Sequence, residues 1–215
     1  MKYNDIIRYI KNERIAASVK TAAEMYLRDG IGEAKMTDIA DQAQIGVASL
    51  YRYFGTKQLF TIKVGAYIWS MTLKELEPIY TGMVYEAKTG LEQVKTLLNI
   101  FPLFLEKYRP FLRFLTEFDM FVIKEHLSQE HLAEYEQCSL NIMPVMVSAL
   151  KKGAEDGTVR ADVDGNVFYH TVTDALLSMC QRFAWGNVPN MENQAMNRKA
   201  LQMAIEIFLG YIEKK

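Results

Sequence analysis

Residues 36–57, MTDIADQAQIGVASLYRYFGTK, decide the fold that we predict for this chain of 215 residues. Ile39 marks an apolar face, residues 44–46 interrupt the pattern, and Leu50 with Phe54 resumes it at helical spacing. The stretch therefore predicts two short helices joined by a tight turn. Because helices of about two turns are not stable alone, they need a neighbouring helix that shares a core with them.

A longer amphipathic helix precedes this stretch, and another follows it. Apolar residues recur at three- and four-residue spacing over 12–28, and Gly30 is placed to adopt the left-handed conformation that closes a helix. Thr56 is a good N-cap for a helix that continues toward Pro78. The first of these helices completes a three-helix unit, and the second links that unit to the rest of the chain.

The remainder of the chain has helical spacing with Gly and Pro breaks, and no strand pattern persists. It predicts further helices near 91–107, 110–126, 130–154, 165–185 and 195–213. Pro102 and Pro144 fall inside two of them and should kink or interrupt each one. The last two helices are apolar over most of their circumference, which favours burial against a second copy of the chain. The predicted class is all-α.

The short helices carry side chains suited to DNA. Helix-turn-helix units place the exposed face of the second helix in the major groove. We predict phosphate contacts from Lys35, Tyr51, Tyr53 and Lys57, and base-edge or groove-wall contacts from Thr37, Val47, Ser49 and Arg52. Packing beneath the helix is the alternative role for the two tyrosines, and a solvated loop position is the alternative for Lys35. Arg52 could also meet a phosphate.

The order of these features resembles the TetR family of bacterial transcriptional repressors. The matching residues are Met36, Asp38, Ile39, Ala40, Ala43, Leu50, Tyr51, Tyr53, Phe54, Lys57, Leu59 and Phe60. Residues 44–46 are Gln-Ile-Gly where the family usually has Gly-Val-Ser, so base preference is open. The resemblance implies a helix-turn-helix DNA-binding domain over 1–56 and a helical ligand-binding and dimerisation domain over 57–215. It also implies a dimer interface built from the last two helices.

Composition limits the other classes of protein. The net charge is −1 and half the residues are apolar. Residues 1–63 carry ten Lys/Arg against seven Asp/Glu, so any basic surface is local. Only two cysteines are present, and no signal peptide or uncharged apolar run of about 18 residues is apparent, which favours a soluble cytoplasmic protein without membrane contact.

Large apolar side chains in the second part of the chain suggest a ligand pocket, although plain core packing is the alternative for each of them. The predicted lining is Phe101, Phe104, Phe114, Glu117, Phe118, Phe121, Asn141, Met143, Met146, His170, Thr173 and Asp174. A small, largely apolar or aromatic effector would fit it.

We find no sequence pattern for catalysis, a cofactor or a metal. His126 and His131 are five residues apart and splay on a helix, so no metal site is predicted. The leading hypothesis is a homodimeric repressor that a small molecule releases from a pseudo-palindromic double-stranded DNA operator. The alternative is a DNA-bound protein of the same fold whose effector is another protein.

Overall fold

The computed structural model describes residues 3–139, 142–186 and 194–214, with side chains from residue 9 onward. The described residues are helical apart from turns and one isolated bridge between Val159 and Glu213, which confirms the all-α prediction. The helices are α1 (Tyr3–Asp29), α2 (Met36–Gln42), α3 (Val47–Phe54), α4 (Lys57–Leu76), α5 (Met83–Glu86), α6 (Gly90–Leu98), α7 (Ile100–Lys107), α8 (Arg109–Lys124), α9 (Gln129–Ser139), α10 (Met143–Asp156), α11 (Gly165–Ala184) and α12 (Gln194–Ile212). A single 3₁₀ turn, Glu77–Ile79, follows α4.

Two of the predicted long helices are interrupted, as their prolines predicted, and each new helix begins one or two residues before its proline. The segment 91–107 is divided at Asn99 into α6 and α7, and Pro102 is the third residue of α7. Likewise α9 ends at Ser139 and α10 begins at Met143, with Pro144 as its second residue. The first turn of a helix has no intrahelical partner for its N–H groups, so a proline costs nothing there. Both prolines therefore lie in the first turn of a new helix.

The chain folds as two compact units. The first contains the described residues up to Met71 and the segment Arg113–Ser139, whereas the second contains Thr72–Leu112 and the described residues after position 140. The compact unit that holds α1–α3 thus includes most of α4 and also α9. The functional division predicted after residue 56 stays a prediction.

The first unit has an aromatic core between its helices. The Tyr26 hydroxyl on α1 shares a hydrogen bond of 2.9 Å with Thr61 Oγ1 on α4, and the Tyr26 ring stacks 6.4 Å from Phe114 on α8. Phe118 stacks 4.2 Å from Tyr135 on α9. A Cβ at Gly65 would lie 3.0 Å from the Phe118 ring, so α4 approaches α8 closely at that glycine.

The second unit has a close helix crossing between α6 and α10. A Cβ on Gly90 would overlap the backbone of Gly153, so neither helix could keep its position with a side chain there. The Asp156 carboxylate accepts a hydrogen bond of 2.8 Å from the Gly90 N–H, and Thr89 caps α6 in a capping box with Glu92. These side chains therefore accept hydrogen bonds from the first N–H groups of α6, at the point where α6 meets α10.

Candidate nucleic-acid interface

The turn between α2 and α3 forms without the usual glycine. Gln44 has φ +53°, a left-handed conformation that an L side chain adopts at some cost. The Ile45 N–H donates to the Ala40 carbonyl at 2.9 Å, which closes the turn. Neither Lys35 before α2 nor Gly46 before α3 supplies a side-chain cap, so the first N–H groups of both helices remain available to an anion.

A buried layer holds the two short helices in place. Ile39 of α2 and Leu50 of α3 are fully buried, as is Ala22 of α1. Phe54 at the end of α3 packs 4.6 Å from Phe60 on α4. The second short helix, α3, is the recognition helix of the predicted unit, and it packs on one side against α1, α2 and α4, whereas Tyr51 and Arg52 on its other side are exposed.

The predicted base-edge set is divided between the two short helices, with Thr37 on α2 and with Val47, Ser49 and Arg52 on α3. Val47, Arg52 and Thr37 are exposed, and Ser49 is half-buried. The Arg52 Nη2 donates to Ser49 Oγ at 3.2 Å, which directs the guanidinium along the α3 surface. Among the described residues neither Arg52 nor Lys35 forms an ion pair, so both cations are available to a polyanion.

The two tyrosines differ in environment. Tyr51 is 46% exposed, and its ring stands out from α3. Tyr53 is half-buried, with the Arg52 guanidinium 5.2 Å and the Lys11 ammonium 5.6 Å from its ring centroid. The sequence patterns do not point to Lys11, because they predict that the first helix begins at residue 12, whereas α1 begins at Tyr3. The cation-rich N-terminal sequence of α1 was the signal available.

Lys57 lies in the first turn of α4 and is half-buried. Its Nζ donates to the Ala34 carbonyl at 3.3 Å and to the Ile31 carbonyl at 3.5 Å, in the loop between α1 and α2. An ammonium group has three N–H donors, so one remains for a phosphate. Lys57 therefore anchors the loop, and its phosphate contact stays a prediction.

Glu117 on α8 holds the same loop from the other side. Its Oε2 accepts a hydrogen bond of 2.7 Å from the Ile31 N–H. Gly30 has φ +93°, as predicted for a helix-closing residue, and a Cβ at Gly30 would lie 2.7 Å from the carboxylate. The glycine thus provides both the left-handed turn and the room for Glu117. Ile31 is clamped through its N–H by Glu117 and through its carbonyl by Lys57.

The predicted ligand-pocket residues divide between the two units. Phe114, Glu117, Phe118 and Phe121 belong to the first unit, whereas Phe101, Phe104, Met143, Met146, His170, Thr173 and Asp174 belong to the second. His170 and Asp174 lie on the exposed face of α11, and Met143 and Thr173 are half-buried. Phe121 is half-buried. The buried members of the set are Phe101, Phe104, Phe114, Phe118 and Met146. Asn141 lies outside the described residues.

The first unit also has an open groove of about 670 Å³ along α1, α4 and α9. Its lining includes Ile15, Val19, Tyr67 and Cys138, with Lys63 and Glu134 paired across it. None of the predicted pocket residues contributes to this groove.

Neither a metal-binding cluster nor a membrane-spanning helix is found in the part of the chain that is described. No group of three or more His, Cys, Asp or Glu side chains in residues 3–139, 142–186 and 194–214 could hold a metal ion. No helix in those ranges is long and apolar enough to cross a bilayer.

The arrangement defines a class of protein: a three-helix helix-turn-helix domain followed by further helices. Residues 19–60 match the family model for bacterial regulatory proteins of the tetR family. The chain therefore carries the helix-turn-helix domain of the TetR family, as the resemblance predicted, and its fold is TetR-like. No curated protein matches the sequence.

Solved structures share this fold along nearly the whole chain. A putative TetR-family regulator from Mesorhizobium loti has 14% identity and a TM-score of 0.71, with 94% of this chain and 98% of that chain covered. The ketosteroid transcriptional regulator KstR2 of Mycobacterium tuberculosis has 21% identity and a TM-score of 0.57, with 94% and 96% covered. The regulator FadR from Bacillus subtilis, in complex with stearoyl-CoA, has 12% identity and a TM-score of 0.62, with 90% and 97% covered. At these identities the likeness concerns the fold.

Proposed function

We propose that this protein is a homodimeric transcriptional repressor that leaves its operator when a small, largely apolar ligand binds. The observation that carries the DNA-binding part is the two-sided character of α3. Leu50 is fully buried beneath it, while Tyr51 and Arg52 on the outer side are exposed and form no ion pair with a described residue. Such a face fits a phosphate backbone and base edges.

The proposed dimer uses α11 and α12. Met203, Ile207 and Tyr211 recur at four-residue spacing on α12 and are 56–64% exposed. Leu201 and Ile205 of the same helix are fully buried. An apolar stripe opposite a buried one needs a second covered surface, and a two-fold partner supplies it. Two recognition helices related in this way favour a pseudo-palindromic site with half-sites about one turn or more apart.

The proposed effector is a small molecule that is mostly apolar. Buried aromatic side chains are plentiful along α7 and α8, and ligand pockets are mostly apolar with a few polar groups. Two proteins with this fold are described with ligands of this kind, one bound to stearoyl-CoA and one named for ketosteroids. A long-chain acyl-CoA and a steroid are therefore the first probes to use.

The clamp on Ile31 offers a route from effector to DNA. Glu117 is both a predicted ligand partner and the acceptor for the Ile31 N–H at 2.7 Å. A ligand that takes the Glu117 carboxylate, or that shifts α8, would release the loop that enters α2. The affinity for DNA then falls by at most the factor by which the ligand binds the released state more tightly than the clamped state.

The test is a binding assay in two steps. A duplex selected from random sequence is titrated by fluorescence anisotropy, first with the protein alone and then with saturating acyl-CoA or steroid. We expect tight, sequence-dependent binding that the effector weakens about tenfold or more, within the usual range of coupling free energies. Binding that stays unchanged while calorimetry shows a saturated ligand site would contradict release by that ligand. If operator binding changes only when another protein is added, and with neither of the small molecules, the alternative function is favoured.

Glu117 variants test the route separately. Glu117→Ala removes the acceptor for the Ile31 N–H, whereas Glu117→Gln keeps a carbonyl acceptor of the same length. The measured quantity is the operator affinity of the ligand-free protein divided by that of the ligand-bound protein. We expect Glu117→Ala to bring this ratio close to one, whereas Glu117→Gln should keep a ratio nearer to that of the wild type. Equal ratios in both variants and in the wild type would show that the clamp carries no coupling.

A further inference from the structure

Lys11 lies outside the helix-turn-helix segment yet reaches it. Helix α1 is continuous from Tyr3 to Asp29, and the family match begins at residue 19. Lys11 is thus eight residues before the matched segment, about 12 Å along the helix axis at 1.5 Å per residue. The N-terminal part of α1 therefore adds a cation that the matched domain does not contain.

The position of Lys11 is set by a residue of the recognition helix. Its ammonium lies 5.6 Å from the centroid of the Tyr53 ring, and the Arg52 guanidinium lies 5.2 Å from the same centroid. Lys11 and Arg52 are exposed, and Tyr53 is half-buried between them. A lysine ammonium over an aromatic ring is attracted to the negative face of the ring even at an exposed site, and this attraction biases the side chain toward that ring.

The two cations form a local surplus of positive charge. Neither Lys11 nor Arg52 pairs with a carboxylate among the described residues. Glu13, close in sequence, lies about 200° around α1 at 100° per residue and lines the groove together with Lys20. The Lys11 ammonium and the Arg52 guanidinium lie near the same ring and repel each other, and a polyanion that contacts both cations relieves that repulsion.

We propose that Lys11 is a DNA-phosphate contact, which extends the interface beyond the helix-turn-helix segment by one phosphate in each subunit. This inference rests on the proposed DNA-binding function. The ammonium lies beside the ring of Tyr53, itself a predicted phosphate contact of α3, so the proposed contacts of α1 and α3 are adjacent. A phosphate contact of this kind adds affinity for every DNA sequence alike.

The test measures the salt dependence of binding to a random-sequence duplex, because that quantity counts neutralised phosphates. Lys11→Met keeps the apolar stem and removes the charge. The slope of log K against log salt concentration should become less negative by about 0.9 per subunit, and therefore by about 1.8 for a dimer. Lys11→Arg should restore the wild-type slope because it keeps the charge.

Lys20→Met is the matched control on the same helix. Lys20 is exposed and lies nine residues from Lys11, about half a turn around α1, so its slope should equal that of the wild type. An unchanged slope in Lys11→Met would overturn the proposal, even if affinity at one salt concentration fell, because that pattern shows only a role in positioning Tyr53. Failure of the wild type to bind any duplex would instead overturn the DNA-binding function and this inference with it. Thermal melts of each variant confirm that it is folded.

Discussion

Helices α3 and α12 have the same construction and different outer faces. Each places fully buried residues inward, Leu50 in α3 and Leu201 with Ile205 in α12. On its outer side α3 carries Tyr51 and Arg52, whereas α12 carries Ile207 and its apolar neighbours. Hydroxyl groups and unpaired cations suit a phosphate backbone, while a row of apolar side chains suits another apolar surface.

The exposed residues of each helix, and not its buried residues, distinguish the partner that it suits. The buried layers of the two helices are alike in chemistry, since both are aliphatic and both exclude water. Only the exposed layers distinguish a helix suited to a polyanion from one suited to a protein. Variants of the outer faces should therefore change binding, and variants of the cores beneath them should change stability.

The largest effect is expected from the outer face of α12. Ile207→Asp places a carboxylate in the proposed dimer interface and should convert the dimer to a monomer. Because two linked half-sites bind more tightly than one, operator affinity should fall by about 100-fold or more. Analytical ultracentrifugation and anisotropy measure the two changes. Gln194→Asp, about 140° around the same helix, is the control and should leave both unchanged. A monodisperse dimer of Ile207→Asp would refute the assigned interface.

The core of the second unit should respond through stability. Gly90→Ala adds a Cβ that overlaps the Gly153 backbone, so α6 and α10 must separate. Overpacking of this kind should lower the free energy of unfolding by about 1–3 kcal/mol. Urea denaturation measures it. Gly165→Ala is the control, since its Cβ would meet Val147 and Leu150 at an ordinary 3.5–3.6 Å. Equal stability of both variants would contradict the close crossing.

The outer edge of the DNA-binding unit should respond through salt dependence. Lys57→Ala removes an ammonium with one donor left for a phosphate, so operator affinity should fall about tenfold at low salt, for all sequences alike. The slope of log K against log salt concentration should become less negative by about 0.9 per subunit. Lys74→Ala, in the last turn of α4, serves as the comparison and should retain the wild-type slope. A lowered melting temperature with an unchanged slope would assign Lys57 to loop anchoring alone.

The smallest effect is expected in the aromatic core of the first unit. Tyr26→Phe removes the hydroxyl that shares a hydrogen bond with Thr61 and should cost about 1 kcal/mol of unfolding free energy at neutral pH. Burial raises the pKa of Tyr26 to about 12, so the folded state favours the protonated phenol. The stability tied to that proton is present below pH 10 and is lost as the pH rises from about 10 to 12.

The Tyr26→Phe variant lacks this ionisation. Its deficit relative to the wild type should therefore shrink between pH 10 and 12, as measured by denaturation at each pH. A deficit that stays constant across that range would contradict the role of buried Tyr26. Tyr85, whose pKa burial also raises to about 12, remains in both proteins and affects them equally.

Local patterns predicted most of the DNA-binding unit. Helical spacing located α2 and α3, and the Thr56 side chain accepts the Leu59 N–H at 3.2 Å, as an N-cap should. The same spacing did not locate the junction at Asn99 between α6 and α7. The apolar residues keep their helical period across that junction, so the pattern does not show where one helix ends and the next begins. The prolines marked these junctions, although their effect was to begin helices.

Side chains whose role depends on distant residues could not be assigned from the sequence. Glu117 was predicted as a ligand group because of its aromatic neighbours, but its carboxylate bonds to Ile31, 86 residues away. Lys11 has no DNA-binding motif around it, and only the folded chain brings it to Tyr53.

Sequence patterns were enough to predict the helical class, the helix-turn-helix segment and the family of that segment, because these depend on residues that are close to one another along the chain. Packing of the helices was needed to show that Ile31 is clamped between Glu117 and Lys57, and that Lys11 of α1 lies beside the recognition helix. Hydrogen bonds and ring contacts act over a few ångströms, so a pair that is distant in sequence becomes a pair only when the helices between them have packed.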